Sequence, residues 1–273
     1  MRLTFVLWHV HPLPKLRRYV RAMASFRSPQ PSIVLARRLV SGAAGNDPRA
    51  SLEAYLTGFR GWEFDVVARP SRAANIDTFT RDDLTAIERL SVGTTPAFQR
   101  WLFSPVGRVA TSGLLSQVSP TLNLEDVATD ASFAIVLGTT TSPTSQLWNR
   151  LVLELRVSGQ AGRSGIQVTA SKLIAAKRPA LVPMTDTYVR SALQLTWGNG
   201  WYRYWQLLRD EEVVDALRRL RTTAAVDIRA LGTIDPSGDD VTELSLVRVL
   251  DIIAWHWRWQ QEQSRRLARP LIA

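Results

Sequence analysis

The sequence predicts a mainly α fold, and three observations carry that reading. Residues 243–260 place Leu244, Val247, Leu250, Ile253 and Trp257 at helical spacing. Thr80 stands before Asp82 and Asp83, a helix cap followed by acidic side chains in the first turn. No sustained run of alternating apolar and polar residues marks a set of strands.

In chain order, loops are expected over 28–32 (SPQPS) and 41–48 (SGAAGNDP). A short helix over 49–56 ends at Gly58. Residues 61–78 alternate weakly and contain Pro70, which reads as a loop with a short hairpin. The Thr80-capped helix runs to about Val92. Helices over 96–103 and 106–118 are separated by Pro105. Residues 138–143 (GTTTSP) form a turn, after which 145–155 resumes a helical pattern. The last helix is the 243–260 segment.

Charge is uneven along the chain. The total of 34 basic and 24 acidic residues gives +10. Residues 1–46 hold eight basic side chains (Arg2, Lys15, Arg17, Arg18, Arg21, Arg27, Arg37, Arg38) and no acidic one. Arg265, Arg266 and Arg269 lie in the last ten residues, which leaves 23 basic against 24 acidic over 47–263. The expected organisation is therefore a basic N-terminal arm over 1–46, one helical domain over 47–263, and a basic C-terminal tail over 264–273. Such an arm is either a solvated extension or a segment lying on nucleic acid.

Composition excludes several chemistries. With no cysteine, disulfides, thiol nucleophiles, Cys-ligated zinc and iron–sulfur clusters are ruled out. Three scattered histidines, His9, His11 and His256, give no metal site. No apolar run approaches the roughly 20 residues that span a bilayer, so no membrane partner is expected. Residues 13–26 are basic, acid-free and amphipathic, as transit peptides are, but the absence of cysteine and of a stop-transfer segment favours the cytoplasm. Neither a phosphate-binding loop with its lysine, nor a dinucleotide fingerprint, nor a serine nucleophile elbow occurs, and no cofactor is expected.

The most informative stretch is 162–190, GRSGIQVTASKLIAAKRPALVPMTDTYVR. A Gly-containing turn opens a helix that stops at Pro179. A short extended piece over 180–184 leads to Thr185, and Asp186 falls at the start of another helix. This stretch resembles the helix-hairpin-helix DNA glycosylase superfamily. Thr169–Ala170 matches that family's Thr-Ala pair, and Asp186–Thr187–Tyr188–Val189 matches its aspartate element, at the family's 17-residue separation. A looser likeness, through Tyr55–Gly58, residues 79–92, Leu147–Arg150 and residues 245–257, resembles an uncharacterised, mostly actinobacterial family.

The resemblance implies a duplex-DNA partner, with damaged duplex as the substrate class. It also implies Asp186 as the carboxylate that stabilises an oxocarbenium-like sugar while an N-glycosidic bond is hydrolysed. The sequence departs from the family at two places. Ser164, Gly165 and Ile166 stand where a Gly-apolar-Gly hairpin is expected. Val168 occupies the position of the Schiff-base lysine, which implies a monofunctional enzyme; Lys172, one turn on, is expected to face another direction. Thr-Asp at a helix start is also ordinary capping chemistry, and the residues alone leave both roles open for Asp186.

Gly165, Thr169, Lys172, Lys177, Arg178 and Arg190 are the candidate DNA contacts, since 162–190 holds five basic residues against Asp186 alone. Trp201 and Tyr202, beside Trp197, Tyr204 and Trp205, are candidates for stacking on an extruded base, core packing being the commoner use of such side chains. Trp255, Trp257 and Trp259 pose the same alternative, and His256 reads as a packed residue. The competing class is a non-catalytic DNA-binding or protein-interaction module that keeps the fold without the chemistry.

Overall fold

Cap-and-proline pairs start many of the helices. Asp47 precedes Pro48 and its side chain accepts from the backbone N–H of Arg49 and Ala50. Thr95–Pro96, Ser104–Pro105 and Ser142–Pro143 repeat the arrangement. In each, the cap oxygen takes an orphan N–H of the first turn, and proline sits where its missing donor is not needed. Thr80 instead uses its backbone N–H, which donates to Asp83 Oδ2 at 2.7 Å.

A computed structural model describes residues 31–59, 61–160, 162–196, 200–230 and 244–268. Within them lie thirteen α-helices and no strand. They are α1 (Pro31–Ser41), α2 (Pro48–Thr57), α3 (Trp62–Ala74), α4 (Arg81–Arg89), α5 (Pro96–Phe103), α6 (Pro105–Leu115) and α7 (Asp130–Phe133). A π-helical turn, Ala134–Gly138, follows α7. Then come α8 (Pro143–Val157), α9 (Arg163–Lys177), α10 (Thr187–Leu193), α11 (Gly200–Leu207), α12 (Glu211–Ala230) and α13 (Leu246–Leu267). The mainly helical expectation holds.

Two helices form the centre. On α13, Leu246 to Ala254 are all buried, and on α9 so are Ile166 to Lys177. A helix buried on every side belongs inside the core, and the charged side chains it carries there, such as Lys177 and Arg248, are paired. α13 packs on α2, α10, α12 and α1, while α9 packs on α8, α4 and α3. Each fully buried Leu, Ile or Val contributes about 1.5–3 kcal/mol relative to exposure. The apolar side chains from Ala36 to Ala254 join in one cluster.

Three sequence expectations change. Residues 61–78 are not a loop with a hairpin: α3 occupies Trp62–Ala74 with Pro70 inside it. Phe64, Ala68 and Ser71 repeat at helical spacing on its buried side, and burial of that face outweighs the roughly 3 kcal/mol that Pro70, exposed in the helix interior, costs. Residues 31–46 are not part of a free arm. Ala36, Leu39 and Val40 of α1 are buried, and Arg37 pairs with Asp210 at 2.6 Å and Glu212 at 2.8 Å. The rest of that expected arm, 1–30, lies outside the described residues. At the other end, Ser264 to Leu267 complete α13 rather than begin a tail, and Arg266 pairs with Glu262 across one turn. Residues 269–273 lie outside the described residues.

Candidate functional site

Between α8 and α9, Gly159 and Gly162 take φ of +79° and +76°. Glycine meets those angles without the Cβ clash of other residues. The positive-φ glycines therefore precede the helix, and Ser164, Gly165 and Ile166, expected to form the hairpin turn, sit inside α9. A Cβ at Gly165 would meet nothing within 4 Å, so no close approach demands glycine there.

After α9 the chain turns over 179–181 and reaches Asp186, the N-cap of α10. Asp186 Oδ1 accepts from Val189 N–H at 2.9 Å. Its Oδ2 faces Lys172 Nζ at 3.9 Å. Both side chains line a partly open cavity of about 480 Å³ between α2, α4, α9, α10 and α13. That volume suits a small-molecule-sized group. Asp186 is therefore a cap and a cavity residue at once, one oxygen serving each.

Three aromatic rings form one wall of this cavity. Phe59 meets Trp255 edge-on at 5.1 Å, and Tyr188 meets the same Trp255 at 6.3 Å. Val168 and Met184 also line the cavity. Lys172 Nζ donates to the Leu90 carbonyl at 3.1 Å. Burial pushes the Lys172 ammonium below the usual lysine range, against the pull of Asp186.

A buried ionic cluster backs the cavity. Arg248 Nε lies 3.1 Å from Asp65 Oδ1, and Arg248 Nη2 donates to the Tyr55 hydroxyl. Tyr55 in turn donates to Asp65 Oδ2 at 3.0 Å. Arg248 Nη1 stands 3.6 Å from Asp251 Oδ2. Asp251 accepts from Met184 N–H at 3.0 Å and from the Tyr204 hydroxyl at 2.8 Å. Burial pushes the Asp251 carboxyl up to about 7, with Arg248 and these two donors opposing it. Burial alone would lower the Arg248 pKa, but Asp65, Tyr55 and Asp251 outweigh it and hold the guanidinium charged.

The expected DNA contacts fare unevenly. Lys177 is 1% exposed, with Nζ 2.7 Å from Asp83 Oδ2 and 2.9 Å from Ser71 Oγ. Arg178 is likewise 1% exposed; it pairs with Asp77 and donates to the Val118, Leu115 and Ile76 carbonyls. Both are corrected to structural roles, because a cation consumed by buried partners has no donor to offer a phosphate. Thr169 is buried and its hydroxyl donates to Gly165 O at 2.8 Å, so it too is structural. Lys172 is buried at the cavity rather than on the outer surface, and it does not face away from Val168. The four-residue step returns to the same side of α9, and both line the cavity. Arg190 is half-buried on α10.

Trp201 and Tyr202 sit elsewhere. They line a second cavity of about 270 Å³ with Phe133 and Trp148. Thr185 touches that cavity and Asp186 the first one, so the two lie on opposite sides of this segment. His256 is packed, as expected, with Nδ1 2.9 Å from Ser51 Oγ. Sequence reasoning missed Phe59, Tyr188, Asp65, Arg248 and Asp251 as site residues. For the last two a signal existed: an arginine and an aspartate three apart in the apolar run LVRVLDII.

Residues 49–258 match a family of unknown function, DUF6308. The chain belongs to that family. The matched span of this DUF6308 protein includes both cavities and every charged residue of the buried cluster, and it omits α1. No curated protein and no solved structure matches the chain. Among the described residues of the DUF6308 chain, no group of three or more His, Asp or Glu side chains is placed to hold a metal. No described helix is long and apolar enough to cross a membrane.

Proposed function

We propose that this protein is a helix-hairpin-helix DNA-binding protein with a glycosylase-type site, in which Asp186 supports hydrolysis of an N-glycosidic bond. The observation that carries the reading is the divided use of Asp186. Oδ1 is fixed by Val189 N–H, which leaves Oδ2 held in place on the wall of an aromatic-sided cavity. A base turned out of the duplex would pack against Trp255, Tyr188 and Phe59. Its sugar would then lie against Asp186, whose negative charge favours the positive charge that builds at the anomeric carbon as the base departs. Val168 supplies no amine at the position the resemblance would give to a lyase lysine, so the proposed hydrolysis uses water.

The test is incubation with duplexes carrying assorted damaged bases, followed by alkali cleavage, for wild type and Asp186→Asn. Asparagine can keep the cap to Val189, so the variant removes charge rather than fold. Base release by wild type alone supports the proposal. No release from any duplex, or equal release by the variant, rejects it.

One observation favours the second reading, a binding module without chemistry. Burial of Lys177 and Arg178 removes two expected phosphate contacts beside the hairpin. In that reading, duplex affinity comes from the six basic residues of 1–30 and falls with salt.

A further inference from the structure

The cavity around Trp201 and Tyr202 takes no part in the proposed hydrolysis. Its aromatic rings come from three helices: Phe133 ends α7, Trp148 lies on α8, and Trp201 and Tyr202 stand near the start of α11. They meet edge to face. Trp148 and Trp201 are 6.3 Å apart at 74°, and Phe133 and Tyr202 are 5.4 Å apart at 67°. Buried Trp205 stacks on Phe133 at 5.0 Å and fixes that ring. Leu137 and Gly138 of the π-helical turn complete this wall, and turns of that kind often occur at functional sites. Gly138 is required there, because a Cβ would come within 2.7 Å of the Phe133 ring.

The polar lining is uncharged. No Lys, Arg, Asp or Glu is among the described residues of this cavity, whereas Lys172, Asp186, Arg248 and Asp251 line the other. Thr185 is 7% exposed, and its hydroxyl has no hydrogen-bond partner among the described residues. A buried hydroxyl left unpaired is costly, and a polar group of a ligand in the cavity would satisfy it. Asn149 is an exposed member of the same lining and presents a carboxamide, a donor and an acceptor side by side. Ser145 Oγ donates to Leu137 O at 2.8 Å, which leaves its lone pairs for an incoming donor.

We propose that this cavity is a second ligand site and takes one uncharged heterocyclic base, stacked on the indole rings with its polar edge on Asn149 and Thr185. Three properties select that ligand. A flat ring laid on one indole continues the edge-to-face packing of the others. The amide-like edge of a base, with adjacent donor and acceptor, pairs with the Asn149 carboxamide. The volume of about 270 Å³ lies below the roughly 300–1,000 Å³ usual for drug-sized ligands, so a single ring system fits, and the lining holds no cation for a phosphate. The inference does not depend on any reaction at Asp186.

The same base chemistry has two sources: a free nucleoside, and a nucleotide unstacked from a single strand whose backbone stays outside the cavity. The experiment irradiates the full chain with the photoreactive base 4-thiothymidine, supplied in separate arms as the free nucleoside and within a single-stranded oligonucleotide. Peptide mass mapping then locates the crosslinks. The expected result is crosslinking within 133–149 or 200–202 in at least one arm, with protection by thymidine. Crosslinks only with the nucleoside assign a free ligand; crosslinks only with the oligonucleotide assign a strand. Thr185→Val keeps the side-chain shape and removes only the hydroxyl, and Asn149→Ala changes an exposed helix position. Each should raise the probe concentration for half-maximal crosslinking by about 3- to 10-fold. Mapping on wild type does not depend on the variants' folding. No crosslink at this cavity, crosslinks confined to Phe59, Tyr188 or Trp255, or half-maximal concentrations unchanged in both variants overturns the inference. So does protection by methyl glucoside and not by thymidine, which would assign the cavity to a saccharide. Crosslinking here without base release in the lesion assay leaves the inference standing while rejecting Asp186-driven hydrolysis; base release without crosslinking here does the reverse.

Discussion

Lys172 Nζ stands 3.9 Å from Asp186 Oδ2, while Asp186 Oδ1 accepts from Val189 N–H at 2.9 Å. One carboxylate thus joins the start of α10 to the cavity wall of α9. Local structure and site chemistry share a side chain, so the two contributions are separable by substitution. Asp186→Ala removes both and should cost about 1 kcal/mol of stability from the lost cap. Asp186→Asn should cost less than half of that. Urea denaturation of the two variants checks the ordering, and equal losses would show that the cap contributes nothing.

Lys177 should be a stability residue and not a binding one. Lys177→Ala leaves Asp83 charged, fully buried and without its 2.7 Å partner, at a cost of about 3–5 kcal/mol. Replacing both partners, as Lys177→Met with Asp83→Leu, should cost less than the sum of the two single changes, the Thr80 N–H bond to Asp83 being lost in the Asp83→Leu single and the double variant alike. A double-mutant cycle read by thermal or urea unfolding measures this. Additive losses would mean that the pair is not coupled.

Asp251 predicts a pH dependence of stability. Its carboxyl is raised from 3.8 to about 7 in the folded protein, chiefly by burial. Between those values the folded state holds a proton that the unfolded state has released. This contribution is therefore fully present below 3.8 and is lost as pH rises through about 7. Asp251→Asn keeps a neutral side chain at every pH and should remove the loss. The stability difference between wild type and variant, taken at about pH 5 and about pH 8, should shift in favour of the variant at the higher pH. A constant difference would place the Asp251 proton elsewhere.

Deleting residues 1–30 should leave the fold intact and weaken duplex binding. Six of the eight basic residues of 1–46 lie there, whereas Arg37 and Arg38 belong to α1. Deletion through 46 should unfold the protein, because Ala36, Leu39 and Val40 are core residues. Circular dichroism and salt-dependent binding to duplex DNA separate the outcomes. Unchanged affinity after the 1–30 deletion would place the phosphate contacts on the body.

The helices were legible where capping chemistry marks them. Thr80 with its acidic first turn set one helix start, and the helices expected from 96, 106 and 145 begin within two residues of those positions, after the caps at Thr95, Ser104 and Ser142. α3 was hidden because Pro70 reads as a breaker, though the burial period of Phe64, Ala68 and Ser71 was present. Asp186 and Val168, singled out through the resemblance, both line the candidate cavity. Lys177 and Arg178 misled because charge counted along the chain says nothing of burial. Their partners, Asp83 and Asp77, lie about a hundred residues earlier and meet them only after folding. The aromatic wall was sought at Trp201 and Tyr202, where the rings cluster in sequence. It is assembled instead from Phe59, Tyr188 and Trp255, which belong to three separate segments.

The central claim is that Asp186 Oδ2 acts on a sugar in the cavity. The most direct measurement is the single-turnover rate of base release from a duplex lesion substrate, for wild type and for Asp186→Asn confirmed as folded. Asp186→Asn should slow release by about 100-fold or more, with binding affinity little changed. Equal rates, or no release by the wild-type protein from any lesion duplex, would contradict it.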